Sequence, residues 1–105
     1  MRTGRRIALA MAMAVVAAVA AAQDTGAGLY KAKCQSCHGA DGMASSGVGK
    51  IMKVKPVTDP SVKSMSEAQM IAAVRNGSGK MQAYKDSLSE AQIKAAVECF
   101  RGFLR

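Results

Sequence analysis

The chain has 105 residues and a net charge of +8, with half of its residues hydrophobic but only two Phe, two Tyr and no Trp. That length allows one domain at most. The thin aromatic content excludes a large self-sufficient core, and a chain this small usually needs a metal, disulfides or another staple.

Residues 1–22 read as an export signal. Arg2, Arg5 and Arg6 make a positive start, Ile7 to Val19 is an unbroken apolar run, and Ala20-Ala21-Ala22 offers a small-residue cleavage site. The apolar run is short and Ala-rich for a spanning helix, which needs about 20 clearly apolar residues. Cleavage before Gln23 leaves a mature domain of residues 23–105. Three of the fifteen basic residues go with the signal and all seven acidic ones stay, so the mature charge is +5. The expected compartment is the periplasm, or a thylakoid lumen in a photosynthetic cell. An exported chain seldom meets nucleic acid, so the positive charge is not read as a nucleic-acid patch. The expectation is a monomer without stable membrane insertion.

Asp24 or Thr25 can cap a first helix running through Leu29, Tyr30 and Cys34 to about His38. This helix carries Cys34-Gln35-Ser36-Cys37-His38. A C-x-x-C-H run reads as a c-type haem attachment site. Residues three apart share a helix face, so both thiols can add to the vinyl groups of one haem while His38 reaches the iron. A thioredoxin-type dithiol calls for a βαβ pattern that is missing. Zinc calls for four ligands, and His38 is the sole His and Cys99 the sole other Cys. A disulfide within one helical turn is sterically awkward.

Gly39 to Gly49 holds four glycines and two serines and reads as a loop, with Gly42 a turn residue. Met43, Val48, Ile51, Met52 and Val54 read as lining of the haem edge. Asp59-Pro60 reads as a turn. Ser66-Glu67-Ala68-Gln69 is a capping box flanked by Met65 and Met70 as a hydrophobic staple. It starts a helix that stops at Asn76-Gly77. A glycine-rich loop follows, Gly77 to Tyr84. Ser89-Glu90-Ala91-Gln92, with Leu88 and Ile93 as staple, starts the last helix. Its stripe is Ile93, Val97, Phe100 and Leu104. No stretch alternates as a strand does, so the class is all-α.

A single His excludes bis-histidine ligation within one chain. Met is the alternative, because a thioether favours reduced iron. Of the five methionines beyond the signal, Met43 lies too near His38, and Met65 and Met70 serve the staple. Met52 stays open, and Met81 is the best candidate, in a loop late enough to cross to the far side of the ring.

The mature domain resembles a small bacterial class I cytochrome c. The matching pieces are Gly28-Leu29-Tyr30, Cys34-x-x-Cys37-His38-Gly39-Ala40-Asp41-Gly42, Gly79-Lys80-Met81-x-Ala83-Tyr84 and Leu88-Ser89-x-x-Gln92-Ile93. The resemblance implies the cytochrome c fold, three to four helices round one covalently attached haem c with the first and last helices crossing. It implies His38 and Met81 as axial ligands and one-electron transfer as the activity. The family usually has Pro after the ligand Met, where this chain has Gln82. The chain also lacks the Gly-Pro that often follows the motif and orients the His. A hydrogen-bond acceptor for His38 is expected all the same. Cys99 stands where an aromatic is common; a buried small hydrophobe, a free thiol and a dimer link all remain open for it.

The mature lysines Lys31, Lys33, Lys50, Lys53, Lys55, Lys80 and Lys85 cluster at the loops. They read as a basic rim that steers the protein to acidic-surfaced redox partners in transient complexes. The overall reading is an electron carrier without bond-making catalysis. The alternatives are a cytochrome subunit of a larger dehydrogenase or oxidase, and a haem enzyme or gas binder with an open iron site.

Overall fold

The computed structural model describes residues 25–105; the signal segment 1–22 and its cleavage site lie outside the described residues. Helix α1 (Gly26–Lys33) starts at Thr25, whose hydroxyl accepts from the Gly28 N–H at 3.1 Å. A separate turn, α2 (Gln35–His38), follows Cys34. Helices α3 (Gly47–Ile51), α4 (Pro60–Lys63), α5 (Glu67–Asn76) and α6 (Glu90–Gly102) complete the described chain, which contains no strand. The class is all-α, as expected.

The expected single helix from Thr25 to His38 is broken. Cys34 leaves the regular path at φ −117°, and the chain restarts a new turn behind it. Gly39 ends that turn at φ 83°, a conformation glycine adopts freely. Two short helices appear where loop and turn were expected. Ser46 caps α3 through the Gly49 N–H. Asp59 caps α4 through the Ser61 N–H, and Pro60 occupies its first position, where its missing N–H has no helical partner to lose. Gly42 is the expected turn residue, at φ 76°.

Both capping boxes form. Ser66 and Gln69 exchange bonds of 3.1 and 2.9 Å, and Ser89 and Gln92 do the same. Each pair satisfies two amides that a helix start leaves unpaired. The staple residues Met70, Leu88 and Ile93 all enter the core, which also contains Leu29, Tyr84, Ala96 and Val97. Ile93 is completely enclosed. The predicted stripe on α6 stops early: Leu104 lies past the helix end and is exposed.

Helix α1 packs against α6, and α5 against α6. The first contact depends on Gly26, because a β-carbon there would lie 2.5 Å from the Ala95 carbonyl oxygen. The loop after α2 is tucked under the C-terminal aromatics. A β-carbon on Gly42 would meet Phe103 at 2.9 Å and Val57 at 3.2 Å, and the Val57 N–H donates to the Gly42 carbonyl at 2.8 Å.

Candidate haem site

Cys34 joins α1 to α2. Its carbonyl accepts from the N–H groups of Cys37 at 3.3 Å and His38 at 3.0 Å, so the five motif residues form one tight turn. Both thiols are free. Burial, reinforced by the neighbouring Cys99 and Cys37, pushes the Cys34 thiol up to about 11. It therefore stays S–H at neutral pH. In the net reaction with a haem vinyl group the thiol would add sulfur to one carbon and hydrogen to the other. Among the described residues no cluster of His, Cys, Asp or Glu could hold a metal ion, so the four-ligand zinc arrangement is not built.

His38 is half-buried. Burial lowers its pKa below 6.5 and keeps the imidazole neutral, the form that binds a metal. Phe100 of α6 meets the ring edge-on, with centroids 5.2 Å apart. Nδ1 is buried and has no hydrogen-bond partner among the described residues, so the expected acceptor is not there. What approaches His38 instead is the Phe100 ring and the Ala44 N–H, which donates to the His38 carbonyl at 2.8 Å.

The loop that follows is pinned to the motif by backbone contacts. The buried Tyr30 hydroxyl donates to the Gly39 carbonyl at 2.6 Å. The Ser46 hydroxyl accepts from the Gly49 N–H at 3.0 Å and donates to the Ser36 carbonyl at 2.7 Å, inside the motif. A β-carbon on Gly49 would collide with the Cys37 carbonyl; glycine is what lets α3 sit on α2. Ala44 pays for its place with a left-handed backbone, φ 55°, uncommon outside glycine. Sequence reasoning missed Ser46, Gly49 and the Tyr30 hydroxyl in these roles. The one signal available was Ser46 itself, three residues before Gly49, as an N-cap.

Met81 is half-buried at the far end of the chain from the motif. It packs against the same buried cluster as Cys34 and Phe100. Cys34, Met81 and Phe100, the ring that His38 meets edge-on, thus all border one buried cluster. Met52 is not among the described residues packed on that cluster. Met43, Val48 and Ile51 are exposed at 41%, 49% and 78%; the last two lie on α3, which packs on the motif turn. Val48 and Ile51 thus present apolar surface beside the motif turn, whereas the Met43 sulfur is met by the Thr58 hydroxyl at 3.8 Å. Cys99 is a half-buried free thiol beside Gly26.

Two free thiols and a neutral imidazole within five residues, beside exposed apolar side chains on α3, fit a covalently attached haem c. The comparisons agree. The family model described as "Cytochrome C oxidase, cbb3-type, subunit III" matches residues 21–98. The solved structure of the KustC0563 c-type cytochrome superposes with a TM-score of 0.68 at 28% identity, covering 75% of this chain and 96% of that one. No curated protein sequence matches. The chain belongs to the cbb3-type subunit III cytochrome family and is a small c-type cytochrome, a haem-binding electron-transfer protein with Cys34 and Cys37 as its attachment motif.

Proposed function

We propose that this protein is a periplasmic carrier of single electrons whose iron is held by His38 on one side and Met81 on the other. The observation that carries the reading is the packing of Cys34, Met81 and Phe100 on one buried cluster, with His38 against Phe100. Haem, when bound, supplies the one-electron ferric–ferrous couple. Cys34 and Cys37 tether it through thioether bonds. His38 offers a neutral imidazole, held so by burial. Met81 offers a thioether, which favours the reduced state and raises the potential. With His38 and Met81 both given to the iron, the chain would keep water and small ligands from it, and the chemistry supplied would be electron transfer without bond making.

The periplasmic assignment rests on the basic, apolar and small-residue segment 1–22. No described helix is long and apolar enough to cross a membrane. The partners of this reading are acidic-surfaced redox proteins. Lys31, Lys33, Lys50, Lys53, Lys55, Lys80 and Lys85 are all exposed, and complexes of this kind are small and short-lived.

The test is the optical spectrum of the holoprotein, oxidised and then reduced, beside Met81→Ala. The expected wild-type spectrum is low-spin, with the weak far-red band of ferric methionine ligation and no carbon monoxide binding when reduced. Met81→Ala should lose the band and bind carbon monoxide. A high-spin wild type that binds carbon monoxide readily would point to an open iron and to small-molecule chemistry there.

A further inference from the structure

Between α5 and Tyr84 the chain closes a tight hairpin. The Ser78 N–H donates to the Met81 carbonyl at 3.1 Å, and the Met81 N–H donates to the Ser78 carbonyl at 2.9 Å. Only Gly79 and Lys80 lie between them. Gly79 has φ +56°, as the first central residue of the favoured two-residue hairpin turns requires. Gly77 enters the hairpin at φ 81°, ψ 164°, a region essentially restricted to glycine. The returning arm runs directly over it: a β-carbon on Gly77 would lie 2.9 Å from the Met81 carbonyl oxygen and 3.1 Å from the Ala83 nitrogen. These are backbone atoms of the hairpin itself, so a side chain at Gly77 can be seated only if the hairpin opens.

The far arm is tied down independently. The Tyr84 N–H donates to the Val74 carbonyl at 3.0 Å, and the Lys85 N–H to the Arg75 carbonyl at 3.2 Å. The Tyr84 hydroxyl donates to the carbonyl of Lys33, the last residue of α1, at 3.0 Å. Both ends of the segment are therefore fixed to helices. Within it, the position of Met81 is set by the two hydrogen bonds that the glycines permit.

We propose that Gly77 and Gly79 are positioning residues for Met81, and that the closed hairpin they allow is what presents the thioether to the iron. This rests on the reading of Met81 as the sixth ligand. A thioether is a neutral, weak ligand, and its hold depends on how little chain freedom it must surrender on binding. Pre-ordering the segment that carries it removes that cost in advance. Opening the hairpin restores the freedom and hands the iron to competitors.

The measurement is a titration of the ferric holoprotein with imidazole, which competes with Met81 for the sixth position. The variants are Gly77→Ala, Gly79→Val and Met81→Ala, with Gly102→Ala as control, because a β-carbon at Gly102 meets nothing within 4 Å. Gly79→Val acts on the same hairpin from an open site, where a β-carbon also meets nothing within 4 Å, so it serves even where Gly77→Ala fails to fold. A β-branched residue at positive φ is a strong outlier. Both glycine variants should bind imidazole at least about tenfold more tightly than wild type, equivalent to about 1.4 kcal/mol lost from the Met81 bond. The control should match wild type. Unchanged imidazole affinity in Gly77→Ala and Gly79→Val, with raised affinity in Met81→Ala, would overturn the proposal while keeping Met81 as ligand. So would glycine variants that lose global stability without gaining imidazole affinity. Unchanged affinity in Met81→Ala would overturn the ligand reading and the proposal together.

Discussion

Tyr30 shows how much of the site depends on a single side chain outside the motif. It is 3% exposed. Its ring stacks on Phe100 at 6.3 Å and meets Phe103 edge-on at 5.2 Å, and its hydroxyl holds the Gly39 carbonyl just past His38. Removal of that hydroxyl leaves the carbonyl with the long 3.3 Å bond from the Gly42 N–H. A residual partner puts the loss near that of an ordinary hydrogen bond, about 1 kcal/mol, below the full penalty of an orphaned buried group. Tyr30→Phe should therefore lower the denaturant midpoint of the holoprotein with an unchanged slope; an unchanged midpoint would show that the carbonyl is satisfied without Tyr30. The contrast with the motif is instructive. Cys34, Cys37 and His38 were legible because thiol addition and iron ligation demand those residue types at that spacing. The Gly39 carbonyl was not, because a backbone acceptor leaves no mark on residue identity. For the same reason an acceptor for His38 was expected from general metal chemistry, yet Nδ1 has none among the described residues.

At the scale of elements, α5 and α6 are joined by the fork of Arg75 on Glu90, with Nε on one carboxylate oxygen and an amino nitrogen on the other. Glu90 sits in the first turn of α6, where the helix dipole also favours its negative form. The hydrogen bond from Arg75 holds the Glu90 carboxyl below the usual carboxylate range. A depressed folded-state pKa means that the unfolded chain takes up the proton first as pH falls. The stabilisation is thus complete above the ordinary Glu pKa and disappears as pH drops through the folded value. Glu90→Gln should unfold at a lower temperature than wild type at neutral pH, and the two melting curves should converge in acid. A gap that persists in acid would assign the effect to packing instead of charge. Arg75, Glu90, Lys94 and Ala68 border an exposed groove, so solvent screening keeps the effect small. The starts of these two helices were readable because Ser-x-x-Gln after an apolar residue encodes its own cap. Helices α3 and α4 were not. At five and four residues they carry too little periodicity to register, and α3 depends on a distant bond from Ser46 to Ser36. The break at Cys34 was equally silent, since nothing in the local sequence disfavours a continuous helix.

At the scale of the molecule, the packing of α1 on α6 came from the family resemblance and not from periodicity, because its enabling residue is Gly26 and a missing side chain has no hydropathy signal. Charge distribution, by contrast, is visible in composition and acquires meaning only with exposure. Among the described residues Arg75–Glu90 is the one ion pair. All seven lysines are exposed and lie outside it, with Lys31 and Lys33 on α1 and Lys50 on α3 instead of the loops expected for them. Of the seven, Lys55 faces an acidic neighbour, Asp59, whose carboxyl is held down by hydrogen bonds from Ser61 and, more weakly, by Lys55. Lys50 belongs to α3 and Lys53 follows it closely, which places both beside the element packed on the haem-attachment turn. Under the proposed steering role, a cluster so placed would draw a negative partner toward the face that bears the attachment turn, and steering of this kind raises association rates by about 10- to 1,000-fold. Salt acts against it, because the screening length falls to about 10 Å at 0.1 M ionic strength. The second-order rate of electron transfer to an acidic-surfaced redox protein should therefore fall steeply as salt is added. Lys50→Glu combined with Lys53→Glu should slow the reaction most at low salt and flatten the profile, while leaving the spectrum and the Met81 band intact. A wild-type rate indifferent to salt would mean that the lysines only solvate the surface.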